Sequence, residues 1–130
     1  MKHILVVEDE SVMQNLLDKI LSVAGYRVSA ARDGIAAIRL AREDRPDLVL
    51  LDLIIPGIDG YGVCALLKRD RTFRAPIVVL SGRTAEKDIK AALDAGADAF
   101  LGKPLDHKTL LAKISDLLAA QPPPEPEPAK

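Results

Sequence analysis

The chain has 130 residues, 48% of them hydrophobic, which suits one domain with a real core and excludes two. Lys+Arg 18 against Asp+Glu 19 leaves a formal charge of -1, which excludes any global pull toward nucleic acid or an anionic membrane. A single cysteine excludes an internal disulfide, and the short lead Met1-Lys2-His3 is neither a signal peptide nor a membrane span, so the expected setting is the cytoplasm.

Ile4 to Val7 reads as a short apolar strand that runs into the adjacent carboxylates Glu8, Asp9 and Glu10. Val12, Leu16, Leu17, Ile20, Leu21 and Ala24 then recur at three- and four-residue steps, the pattern of a helix with one buried stripe, and Gly25 stops it. Val28 to Ala30 form a second, weaker strand. Asp33-Gly34 marks a turn and N-cap, after which Ile35, Ile38 and Ala41, flanked by Ala37 and Leu40, form the inner face of a helix that ends before Pro46. Arg42 closes that face, its stem over the rim of the core and its charge in water.

Leu48 to Leu51 is a strand apolar enough to be covered on both sides, and it runs into Asp52 before Pro56-Gly57 breaks the chain. Tyr61 to Arg69 is helical, packing through Val63, Leu66 and Leu67. Ile77 to Leu80 is a strand closed by Ser81-Gly82, and Thr84 is the expected cap of a helix running through Ile89, Ala92 and Leu93 to Gly96. Ala99 to Leu101 is the fifth strand and leads into Gly102-Lys103-Pro104. A last helix covers Asp106 to Ala119, with Leu110, Leu111, Ile114, Leu117 and Leu118 inward. Residues 121–130, rich in Pro and Glu, are expected to be a linker or a disordered tail outside the 1–120 domain.

Five strands alternating with five helices imply right-handed crossovers and two helical layers over a parallel sheet, with the strands that start at Ile4, Leu48 and Ile77 at its centre. In such a sheet the functional crevice lies outside the carboxyl ends of the strands, where Glu8, Asp9, Asp52, Ser81 and Lys103 would meet. Three carboxylates so close repel one another unless a cation holds them, and an all-oxygen set suits Mg2+. Lys103 adds a point positive charge, so the site favours an anion with spare oxygens. A carboxylate on the central strand can attack phosphorus to give an acyl phosphate, which points to Asp52 as acceptor and to Ser81 as a hydrogen-bonding ligand. No histidine follows any strand, so Ser81 has no evident base to make it a nucleophile.

These pieces resemble a known family. Ile4-Leu5-Val6-Val7-Glu8-Asp9-Glu10, Leu50-Leu51-Asp52-Leu53 with Pro56-Gly57-Ile58-Asp59-Gly60, Pro76-Ile77-Val78-Val79-Leu80-Ser81-Gly82, and Ala95-Gly96-Ala97-Asp98 with Lys103-Pro104 together are similar to the receiver domain of two-component response regulators, over residues 2 to 120. Pattern and resemblance lead to an α/β fold, a doubly wound five-stranded parallel sheet of order 2-1-3-4-5 with five helices on both faces, a flavodoxin-like three-layer sandwich.

The resemblance implies that Asp52 accepts a phosphoryl group from a histidine kinase or phosphotransfer protein with Mg2+ as cofactor. It implies that Asp9 ligates the metal directly, Glu8 through water, and Asp52 and the Ile54 backbone carbonyl complete the set. Lys103 would contact the phosphoryl group, Ser81 would move toward it, and the Phe100 ring would turn inward as the switch. The surface over 84–95, 99–101 and 106–119 would then carry the change to an effector domain, a partner protein or a second copy of the chain. The chain is expected to be a phosphoacceptor rather than an enzyme with an external substrate, with no direct contact to nucleic acid or membrane.

Two positions depart from the family's commonest pattern. Ser81 stands where threonine is more frequent, and Phe100 stands where tyrosine is common. Ile54 and Arg83 occupy the positions that tune hydrolysis in the family, and the apolar Ile54 offers no side chain to orient water.

Two other readings compete. A phosphate-independent docking module of the same fold would gain nothing from clustered carboxylates, and an aspartyl-phosphate hydrolase would need a second acid and a cap, for which no insertion exists. Among the remaining residues, Cys64 reads as a buried thiol, Tyr26 and Tyr61 as packing residues, and His3 and His107 as surface groups without ligand spacing.

Overall fold

The computed structural model describes residues 1–103 and 106–120, so Pro104 and the Pro/Glu-rich stretch expected over 121–130 lie outside the described residues. The elements alternate strictly: β1 (His3–Val7), α1 (Ser11–Val23), β2 (Arg27–Ala31), α2 (Gly34–Asp44), β3 (Leu48–Asp52), α3 (Gly60–Arg69), β4 (Ile77–Ser81), α4 (Glu86–Asp94), β5 (Ala99–Gly102) and α5 (His107–Ala120). All pairings are parallel and the order is β2-β1-β3-β4-β5, as pattern and resemblance led us to expect.

Strand alternation divides the core in two. Ile4, Val6, Leu48, Leu50, Val78 and Leu80 face Leu17 and Leu21 of α1 and Leu110 and Ile114 of α5. Leu5, Val7, Val49, Leu51, Ile77 and Val79 face Ala37 and Ala41 of α2, Val63, Cys64 and Leu67 of α3, and Ala92 of α4. Every residue of β1, β3 and β4 is buried, which is why those strands read as continuous apolar runs.

The helix faces are narrower than expected. Val12, Leu16, Leu66 and Leu93 are exposed, while the buried lines run through Leu17 and Leu21, Val63 and Leu67, and Ala92. In α2 Ile35 is 65% exposed, and Gly34, Ala37 and Ala41 point inward instead. A Cβ on Gly34 would stand 2.2 Å from the Ile58 carbonyl oxygen, so the smallest residues face the β3–α3 loop and Ile35 is rotated outward.

Caps set the helix ends. Asp33 and Asp59 accept the backbone N–H groups of Ala36 and Gly62 at 2.8 and 2.9 Å. Gly25 (φ 99) and Gly96 (φ 112) close α1 and α4 with the same pair of bonds, from Tyr26 N to Leu21 O and Gly25 N to Ser22 O in α1, and from Ala97 N to Ala92 O and Gly96 N to Leu93 O in α4. Thr84 is not the cap of α4. That position belongs to Ala85, and the first turn is favoured instead by Glu86 and Asp88 at the positive end of the helix.

His3 is likewise not a surface group. β1 extends back to pair His3 with Arg27, the His3 N–H donates to Asp47 Oδ2 at 2.7 Å, and its Nε2 meets the Ser29 hydroxyl. Burial, reinforced by the Arg27 charge, lowers its pKa. Among the described residues, no helix is long and apolar enough to cross a membrane.

Candidate metal and phosphoryl site

The strand ends deliver the site. Glu8 follows β1 by one residue, Asp52 and Ser81 are the last residues of β3 and β4, and Lys103 directly follows β5. Register sets them side by side, with Asp52 opposite Leu80 and Ser81 opposite Gly102. The Lys103 N–H donates to the Ser81 carbonyl at 2.9 Å, which continues the β4–β5 ladder just far enough to carry the lysine to the crevice.

Lys103 Nζ lies 3.0 Å from Glu8 Oε1 and 3.3 Å from Asp52 Oδ2, so one ammonium bridges two carboxylates from different strands. Both acids are buried, at 2% and 9% exposure. Burial pushes the Glu8 carboxyl up to about 7, helped by the adjacent Asp52 and opposed by Lys103. Burial alone would lower Lys103, but Glu8 and Asp52 together hold its ammonium above the ordinary lysine value. Asp52 Oδ1 accepts the Ile54 N–H at 3.1 Å, so the chain turns back on the carboxylate it has just presented.

Glu8, Asp9 and Asp52 each offer a carboxylate oxygen, and the three oxygens lie within 4.8 Å of one another. Lys103 is the ammonium paired with this set, which leaves negative charge for a cation to balance. Hard oxygen donors crowded at one point fit a divalent metal.

Ser81 is buried beside them and its Oγ accepts the Arg83 N–H at 3.0 Å, leaving the hydroxyl proton as a donor. Phe100, half-buried opposite Val79, packs against the core on the side of α2, α3 and α4. The Ile54 side chain is 60% exposed beside Asp52, and Arg83 is exposed as well. Cys64 is buried and far from ligand duty, Tyr26 and Tyr61 pack on the two core faces, and His107 is exposed at the start of α5.

One neighbour escaped the sequence reading. Arg32, the first residue after β2, reaches across the edge, and its Nη2 donates to the Asp9 carbonyl at 2.9 Å and to Ser11 Oγ at 3.1 Å. Its place after a strand was the only signal available, and Asp33-Gly34 beside it already accounted for the turn.

Comparison with known proteins agrees with this geometry. The family described as response regulator receiver domain matches residues 4–115. The chain is 37% identical over 118 residues to the transcriptional regulatory protein AfsQ1 of Streptomyces coelicolor, covering 91% of this chain and 52% of the regulator. It is 40% identical over 119 residues to the DNA-binding dual master transcriptional regulator RpaA of a Synechocystis strain, covering 91% and 49%. The chain thus spans about half the length of these relatives. Among solved structures it is similar to the receiver domain of the sensor histidine kinase PA1611 of Pseudomonas aeruginosa, which has a magnesium ion coordinated in its active-site cleft. That pair gives TM-score 0.86 and 32% identity over 92% of this chain and 98% of the other.

Proposed function

The chain belongs to the receiver domain family of response regulators, and from that premise we propose that Asp52 is the phosphoacceptor in a Mg2+-dependent transfer from a histidine kinase or phosphotransfer protein. The observation that carries this reading is the Lys103 ammonium shared between Glu8 and Asp52, with Asp9 alongside. A structural salt bridge would need one carboxylate; a second and a third suit a site that awaits further positive charge.

In this reading Asp9, Glu8, Asp52 and the Ile54 backbone carbonyl would hold the metal, Asp9 directly and Glu8 through water. The oxygen donors and the magnesium in the Pseudomonas receiver's cleft favour Mg2+ over a softer ion. When bound, it supplies positive charge to the phosphoryl oxygens. An Asp52 oxygen attacks phosphorus, an O–P bond forms, and the P–N bond of the donor phosphohistidine breaks with its electron pair going to the imidazole nitrogen. Lys103 passes from the Asp52 carboxylate to a phosphoryl oxygen, and the Ser81 hydroxyl turns from its own loop to donate to another. Movement of Ser81 frees space beside β5, into which the Phe100 ring turns, so that α4, β5 and α5 present a changed surface.

As a receiver, the chain accepts a phosphoryl group and does not turn over an external substrate. Residues 1–120 form the phosphoacceptor domain. It acts in the cytoplasm, and its output passes to an effector domain, a partner protein or a second copy that pairs on phosphorylation.

Incubation with a small phosphodonor such as acetyl phosphate in Mg2+ should add one phosphoryl group, located on Asp52 by mass spectrometry. Labelling should vanish in Asp52→Asn and in EDTA. Persistent labelling in either would overturn the assignment.

A further inference from the structure

We propose that Arg32 is a positioning residue for the divalent cation, acting by holding the backbone of Asp9. The inference rests on the metal-site reading above and adds to it the residue that follows β2.

The three acids of the cluster are secured very differently. Glu8 and Asp52 are gripped through their side chains by Lys103, and Asp52 also by the Ile54 N–H. The Asp9 carboxylate has no hydrogen-bond or ion-pair partner among the described residues, and its residue is only half-buried. Its position therefore depends on its main chain. Two contacts from the end of β2 fix that main chain: the Glu8 N–H donates to the Ala31 carbonyl at 3.0 Å, and the guanidinium of the next residue, Arg32, donates to the Asp9 carbonyl at 2.9 Å. The same Nη2 also reaches Ser11 Oγ at 3.1 Å, so it spans Asp9 and the first residue of α1. Glu10, the N-cap of α1, makes no side-chain cap, and the start of the helix is tied by this arginine together with a long bond from the Glu10 N–H to Glu8 Oε2 at 3.5 Å.

The chemistry of the contact matters as much as its place. An arginine beside three acids would be expected to pair with a carboxylate and compete with a cation for it. Arg32 instead spends its Nη2 on a carbonyl and a hydroxyl, so the carboxylate oxygens of Asp9 stay free to ligate. Partners that orient a ligand without touching the metal commonly set a large part of its affinity.

Charge and position predict opposite outcomes, which makes the proposal testable. Removing a positive charge near three carboxylates should by itself tighten cation binding. Losing the hold on Asp9 should weaken it. We expect calorimetric titration with Mg2+ to give roughly tenfold weaker binding for Arg32→Ala, at the low end for a supporting residue because the contact is exposed to water. Arg32→Lys, which keeps the charge and a donor, should recover part of the loss. Melting temperature in EDTA should change little, whereas a merely structural tie would lower it and leave the Mg2+ affinity alone. Unchanged or tighter binding by Arg32→Ala would overturn the role of Arg32 and leave the metal site standing; absence of Mg2+ binding by the unaltered chain would remove the metal site itself.

Discussion

At the scale of single residues, chemistry at the crevice depends on groups that differ little in sequence but greatly in surroundings. Ile54 and Asp52 are two residues apart, yet Asp52 is buried against Lys103 while the Ile54 side chain projects into solvent. An apolar side chain there cannot orient water for attack on an acyl phosphate, so the phosphoryl group on Asp52 should persist for minutes or longer in Mg2+; loss within seconds, followed by mass spectrometry after removal of donor, would contradict this. Cys64 shows the opposite case of a reactive group made inert. Burial, opposed by Lys68 and helped by Asp98, pushes its thiol from an ordinary 9.0 up to about 11. The folded chain therefore keeps a proton that the unfolded chain releases between those values. Stability should be unaffected by this group below pH 9.0 and fall as pH rises toward about 11, a slope that Cys64→Ala should flatten in urea titrations.

At the scale of elements, the positions of helices followed from periodicity, but their rotation did not. Repeats at three and four residues located α1 through α5, because a helix with one wet side must repeat its apolar residues at that step. Which residues of the stripe are buried depended on the closest approach of the neighbouring loop. Gly34 shows this, since its N–H donates to the Pro56 carbonyl at 3.2 Å and its missing side chain lets Ile58 sit against the helix. Gly34→Ala would force α2 or the 53–59 loop, which follows Asp52, to move. We expect it to cost about 1–3 kcal/mol in urea unfolding despite alanine's better helix propensity, and equal or greater stability would refute the close-packing account. Gly96 follows the same logic at α4, where it leaves room for Lys68 to pass and reach Asp98 at 2.7 Å. Asp98 in turn accepts the Ile77 N–H at 2.7 Å and thereby fixes the start of β4.

At the scale of the whole molecule, the sheet brings carboxylates from two strand ends and one loop to a single point, and the folded chain alone has that arrangement. A ligand that binds only the folded state stabilises it by mass action, by about 2.7 kcal/mol at a hundredfold excess over Kd. Mg2+ should therefore raise the melting temperature and EDTA should reverse the gain; no shift at millimolar Mg2+ would argue against a cation site. The alternation of elements, the apolar strands and the edge where Glu8, Asp9, Asp52, Ser81 and Lys103 gather were legible in the residue pattern, because burial on both faces forces long apolar runs and a charge can follow them only at the edge. Only the tertiary structure decided that His3 is buried, that Ile35 faces outward, that Lys103 is shared by two acids and that Arg32 holds Asp9. Those facts rest on distances between segments far apart in the chain, and hydrophobic periodicity reports the environment of each segment without reporting which other segment supplies it.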